Sequence, residues 1–117
     1  MNRRQLGNKG EEFVCARLLA SGIDILARNF YCRAGEIDII GKFGGTIAFV
    51  EVKTRSSKGF GTAAEAVTPA KQAKIKAAAL AYISQNDLHD MNFRFDVAEV
   101  YSAKGGLELN YIKSAFE

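Results

Sequence analysis

Residues 35–55 read GEIDIIGKFGGTIAFVEVKTR. Two runs rich in branched and aromatic residues flank Gly44-Gly45, and paired glycines between such runs signal a hairpin. The stretch predicts a strand over 36–43, a tight turn, and a strand over 46–55. With two or four residues in the turn, Asp38 falls directly opposite Glu51, and Glu36 opposite Lys53. Three or five would break this register. Strand periodicity puts Asp38, Glu51 and Lys53 on one face.

Like charges facing each other across a ladder are destabilising. Such a pair calls for a cation. Mg²⁺ suits it, because Mg²⁺ takes oxygen ligands, keeps several waters and is often held by one or two carboxylates plus phosphate. A backbone carbonyl near Val52 is a further candidate ligand. Lys53, next along the strand, could orient or deprotonate a water and stabilise charge developing on phosphorus. A competing reading is a solvated strand face with Glu36–Lys53 as a cross-strand ion pair.

Outward from the hairpin, 5–21 reads as a helix. Val14, Leu18 and Leu19 have helical spacing, and Gly22 is a stop just past the last turn. Residues 23–32 predict a strand with an irregular end, and 56–67 a glycine-containing loop with a helical turn near its end. Thr68-Pro69 is a helix start, with Thr68 as N-cap and Pro69 at the first helical position. The helix should run to Gln85 and bury Ile75, Ala78, Ala79 and Tyr82. Strands at 93–101 and 107–112 flank a turn at Gly105-Gly106. The order α-β-β-β-α-β-β predicts an α/β chain, a mixed sheet with helices packed on it.

A length of 117 residues suits one domain, 1–117, with one core. Hydrophobic residues make up 48% and charged residues 25%, an ordinary globular balance. No apolar run approaches the roughly 20 residues needed to span a bilayer, and no signal sequence is evident. Cys15 and Cys32 stand far apart and His89 is the single histidine, so neither a zinc site nor a disulfide framework is indicated. A cytoplasmic location is the simplest expectation. The net charge of +3 permits a polyanionic partner without requiring one.

The segments GEID (35–38) and FVEVKTR (49–55) resemble the PD-(D/E)XK nuclease signature, an Asp and an E-x-K on adjacent strands. Almost the whole chain resembles the YraN family of small bacterial proteins. Shared positions include Gly7 with Glu11, Asn29, Phe60-Gly61, Val67 with Lys71-Gln72, Phe95-Asp96 and Ala115-Phe116. The resemblance implies a restriction-endonuclease-like fold related to archaeal Holliday-junction resolvases, and metal-dependent cleavage of DNA, with branched or structured DNA as a candidate substrate. It implies Mg²⁺, with Mn²⁺ as a substitute, and a homodimer. It carries the metal carboxylates onto Asp38 and Glu51, the catalytic lysine onto Lys53, and a first-helix glutamate onto Glu11. The signature's proline is absent, since Ile37 precedes Asp38.

Glu11 shares the stripe of Val14, Cys15 and Leu18 and should face the sheet, as a ligand or as a first-turn acid favoured by the helix dipole. Lys71, Lys74 and Lys76 lie early in the second helix, where the dipole disfavours cations and favours phosphate. They read as phosphate contacts or as a solubilising face. Gln72 is a candidate for positioning a water or phosphate. Arg55, Lys58 and Phe60 could track a nucleic-acid backbone and stack on a base. Arg28, Tyr31 and Arg33 could extend that rim. Asp96 reads as a buried acid paired with a base such as a lysine of the second helix. Two rivals to a nuclease share the fold: a non-catalytic nucleic-acid-binding module and a protein-interaction subunit.

Overall fold

The computed structural model describes residues 3–55 and 67–117. Helix α1 (Arg3–Ala20) leads into strands β1 (Asp24–Cys32), β2 (Gly35–Phe43) and β3 (Thr46–Arg55). Helix α2 (Pro69–Gln85) follows, then β4 (Asn92–Ala103) and β5 (Gly106–Phe116). The strands form one mixed sheet in sequential order. All neighbours are antiparallel except β3 and β4, whose parallel pairing requires the crossover that contains α2. The predicted element order is the observed one.

The glycine turn closes as expected, with Phe43 opposite Thr46 and the ladder continuing to Ile39 opposite Val50. Gly44 has φ 60°, a left-handed conformation that glycine adopts without steric cost. Helix α2 begins as its sequence dictates. The Thr68 hydroxyl accepts from the Lys71 amide at 3.2 Å, and Pro69 opens the helix.

Each face of the sheet carries one helix and one apolar cluster. Val14, Cys15 and Leu18 of α1 pack with Ile39, Ala48, Val50, Ala98 and Val100. Ile75, Ala78, Ala79, Tyr82 and Ile83 of α2 pack on the other face with Ile37, Ile40, Ile47, Phe49 and Val97. The near-continuous apolar run of β3 follows from burial on both faces. Leu19, which shares the helical spacing, is 59% exposed, because it lies past the edge of the arc that Val14, Leu18 and Cys15 turn to the sheet. Gly10 is buried where α1 crosses β3, and a Cβ there would run into the Thr54 side chain. Among the described residues no helix is long and apolar enough to cross a membrane.

Asp96 is fully buried, and its partners are not the lysines of α2. The Arg94 Nε donates to both carboxylate oxygens, at 2.9 and 3.1 Å. The Tyr111 hydroxyl donates at 2.5 Å and the Ser114 amide at 2.9 Å. Position 96 faces α1, away from α2, so a residue on its own strand supplies the charge. The Arg94 guanidinium also lies 4.3 Å from the Phe43 ring centre. This network pins the irregular end of β5, where Ser114 has φ 51° and the register shifts. Replacing Asp96 with Ala would leave Arg94 without its counter-charge. Urea unfolding of Asp96→Ala is expected to show a loss of about 3–5 kcal/mol.

Candidate functional site

The β2–β3 ladder stops at Ile39 and Val50, one position short of Asp38 and Glu51. Both strands continue past this point. β2 stays paired with β1 through Gly35, and β3 with β4 through Arg55. The sheet therefore forks between β2 and β3. At the fork the Asp38 carboxylate accepts the Val52 amide at 2.8 Å, taking the place of a backbone carbonyl.

The fork coincides with a switch of strand faces. Ile39 packs into the α1 cluster, yet Ile37, two residues away, packs into the α2 cluster. An uninterrupted strand would keep both on one face. β1 shows the matching break, since Ala27 and Phe30 both face α2 although three residues apart. The pairs Arg28–Ile39 and Phe30–Ile37 place Asn29 and Asp38 opposite each other at the break. Asn29 has φ 51°, a left-handed backbone within a strand. The break lets Asp38 reach in the plane of the sheet toward β3.

Glu51 is 7% exposed and meets Asp38 carboxylate to carboxylate. Burial, then repulsion from Asp38, pushes the Glu51 carboxyl up to about 7, a rise that Lys71 and Lys53 moderate. The Lys71 ammonium reaches across from α2 to 3.8 Å from the Glu51 Oε1. Asp38 is also raised, mainly by burial, while the Val52 amide and Lys71 act to lower it. Glu11 approaches from α1. Burial and the negative charge of Asp38 raise its carboxyl, and Arg28 and a side-chain hydrogen bond from Asn29 oppose that rise. The fork is thus reached by α1 from one face of the sheet and by α2 from the other.

The sequence-derived set is therefore gathered in part. Asp38 and Glu51 meet, not as the directly opposed ladder pair that the hairpin register implied but across the fork beyond its end, with Lys53 and Glu11 close enough to act on their charges. Glu36 and Lys53 do not form a cross-strand pair, because the ladder has ended. Glu36 lies opposite Tyr31, and Lys53 beside Glu99 of β4. Arg55 pairs with Glu99 at 3.4 Å. The Gln72 amide donates to the Val67 carbonyl at 2.9 Å, bracing the start of α2. Lys71 enters the site directly, whereas Lys74 is exposed and its backbone lies against Gly35. Lys58 and Phe60 lie outside the described residues. Tyr31 is 78% exposed on β1. Asn29 carries no chemical signature in the sequence, since its place opposite Asp38 depends on pairing between β1 and β2.

Among the described residues no group of three or more His, Cys, Asp or Glu side chains is placed to hold a metal ion. The donors at the fork are instead two touching carboxylates with a third nearby. This oxygen donor set fits Mg²⁺ or Mn²⁺, which retain water in most of their coordination positions. Asp38 and Glu51 share a hydrogen bond that raises Glu51 and lowers Asp38, and a divalent cation could take the place of the proton between them.

The profile of a family described as "Uncharacterised protein family UPF0102" matches residues 10–100. A UPF0102 protein of Caldicellulosiruptor saccharolyticus is 48% identical, covering 99% of this chain and 100% of its own. One of Pelobacter propionicus is 43% identical, covering 99% and 85%. One of Geotalea daltonii is 42% identical, covering 99% and 92%. These matches agree with the YraN-like resemblance over nearly the whole length.

A carboxyl raised on folding binds its proton more tightly in the folded chain than in the unfolded one. Its contribution is favourable below the unfolded value of 4.5 and is lost as pH rises to about 7. In metal-free protein, Glu51→Gln should remove that loss. Relative to wild type, the variant is expected to gain on the order of 3 kcal/mol in denaturant unfolding at pH 8. The gain should nearly vanish at pH 4.

Proposed function

The chain belongs to the UPF0102 family, and from the chemistry of its sheet fork we propose that it is a Mg²⁺-dependent endonuclease that hydrolyses phosphodiester bonds in DNA. The observation that carries this reading is the buried contact between Asp38 and Glu51, in which burial raises both carboxyls and Asp38 raises Glu51 further. Lys53, two residues beyond Glu51 on the same strand, completes the D…E-x-K arrangement.

Asp38 and Glu51 would hold the ion, with Glu11 adjoining. When bound, the ion supplies Lewis-acid polarisation of a phosphoryl oxygen and a more acidic bound water. The Asp38 carboxylate is held in place by the Val52 amide, so its geometry is set before substrate arrives. The Lys53 ammonium orients the attacking water and stabilises negative charge on the phosphoryl oxygens. Lys71 is the cation that α2 brings to the site. At 3.8 Å from Glu51 it offsets the carboxylates, and its long stem from the first turn of α2 allows it to turn to a substrate phosphate instead. The exposed Arg28, Arg33 and Lys74 give a cationic surface around the fork.

Branched substrates are the favoured class by resemblance to the junction resolvases. The test is cleavage of labelled four-way-junction, flap, single-stranded and duplex DNA with Mg²⁺ or Mn²⁺. Wild type should cut at least one substrate. Asp38→Ala should abolish cutting, and Lys53→Ala should slow it by about 10²–10³-fold. Salt-sensitive DNA binding without cleavage would instead identify a binding module. Neither binding nor cleavage would point to a protein-interaction subunit.

A further inference from the structure

We propose that two copies of the chain pair about a two-fold axis, helix α2 of each packing on the half of the other's sheet that its own α2 leaves bare. This does not depend on the chemistry of the fork.

The bare half follows from dimensions. A helix with its side chains is about 10–12 Å wide and neighbouring strands are about 4.8 Å apart, so one helix covers two strands of a sheet. The sheet has five strands, and α2 lies over β1 and β2. On the same face β4 and β5 leave Phe93, Phe95 and Phe116 only partly buried. Their rings form a ladder rising from the core. Phe49 stacks on Phe95 with ring centres 5.6 Å apart, and Phe95 on Phe116 at 5.3 Å. A groove of about 270 Å³ separates α2 from this ladder, lined by Lys76, Ala79, Leu80, Ile83, Phe93 and Phe95. A second, of about 370 Å³, continues from Phe93 and Phe95 past Phe116 to Glu117. Single exposed apolar side chains are ordinary, but contiguous ones mark a contact surface.

The face that α2 turns away from its own sheet matches that shelf. Ala73, Ala77, Leu80 and Ser84 are exposed there, Leu80 by 67%. Spacings of four, three and four residues align them on one stripe, opposite the buried Ile75, Ala78, Ala79 and Tyr82. None of the four is charged, whereas the solvent face of a helix normally is. Alanine and serine let a second surface approach closely, and Leu80 supplies the apolar anchor.

A second copy is the occupant that both surfaces select. An isologous interface uses the same patch twice, so the patch must complement itself. With the axis along β4, the stripe of each α2 lies on the phenylalanines of the other copy, and each helix fills the strip left open beside its mate. The charges agree, since Lys74 and Lys76 flank the stripe and Glu117 ends the shelf. Each copy thus brings cations to the other's anion. Pairing along the β5 edge is disfavoured by the bend at Ser114, where φ is 51° and the register shifts. The face is therefore the route of approach.

The test is sedimentation equilibrium of the full chain from about 1 μM to about 1 mM. Wild type should reach twice the chain mass within that range. Leu80→Glu puts a charge in the middle of the stripe at a position exposed in the single copy, so far-UV circular dichroism should be unchanged. Its dimer dissociation constant should rise about 30-fold or more, as for a central interface residue. Leu19→Glu changes a residue 59% exposed on α1, across the sheet, and should dimerise as wild type does. Should Leu80→Glu fold poorly, Ala77→Glu takes its place with the same expectation. Wild type that stays monomeric throughout would overturn the proposal and leave the shelf to another partner. A dimer that Leu80→Glu leaves intact, or that Leu19→Glu weakens equally, would overturn it by placing the contact elsewhere.

Discussion

The hydrogen bond from the Val52 amide to the Asp38 carboxylate is the constraint around which the site is built. It replaces one rung of the β2–β3 ladder with a side chain, so the strands can part without leaving that buried donor unsatisfied. Once they part, Glu51 can meet Asp38, and Lys53 stands free of the cross-strand pairing that an intact ladder would have imposed. The paired breaks at Asn29 and Asp38 make this possible by turning the Asp38 side chain into the plane of the sheet. The two helices then approach the gap from opposite faces. α1 is brought close by the buried Gly10, which allows it to cross β3 tightly at Thr54. α2 is started by Thr68 and Pro69, which puts Lys71 within reach of Glu51.

Two buried acids in the same sheet show the difference between structural and chemical use of a carboxylate. Asp96 has an arginine, a phenol and a backbone amide as donors, all within hydrogen-bond distance. Its presence also pushes the Tyr111 phenol well above its usual range, after burial. That arrangement settles a buried charge and anchors the end of β5. Glu51 has a lysine at 3.8 Å and a second carboxylate in contact. Its charge is poorly compensated by the protein alone, which is the expected state of a group arranged for a cation or a reaction.

Much of this was legible in the sequence because it depends on local signals. Gly44-Gly45 fixed the hairpin register, and Thr68-Pro69 fixed the start of α2. The spacing of Glu11 from Val14, Cys15 and Leu18 placed it toward the sheet. What periodicity missed was the end of the ladder, since a strand pattern carries no mark of where pairing stops. The competing reading of a Glu36–Lys53 pair failed for that reason. The partner of Asp96 was misassigned because strand alternation alone does not reveal which helix covers which face. The strand break at Asn29 was missed as well, since its left-handed backbone and its place opposite Asp38 are both products of tertiary pairing.

The most direct measurement is anomalous diffraction from crystals of the protein grown with Mn²⁺ near pH 7.5. The account predicts an anomalous peak between the Asp38 and Glu51 carboxylates, with the Lys71 ammonium displaced from Glu51. An intact Glu51–Lys71 pair with no anomalous density at the fork would contradict it.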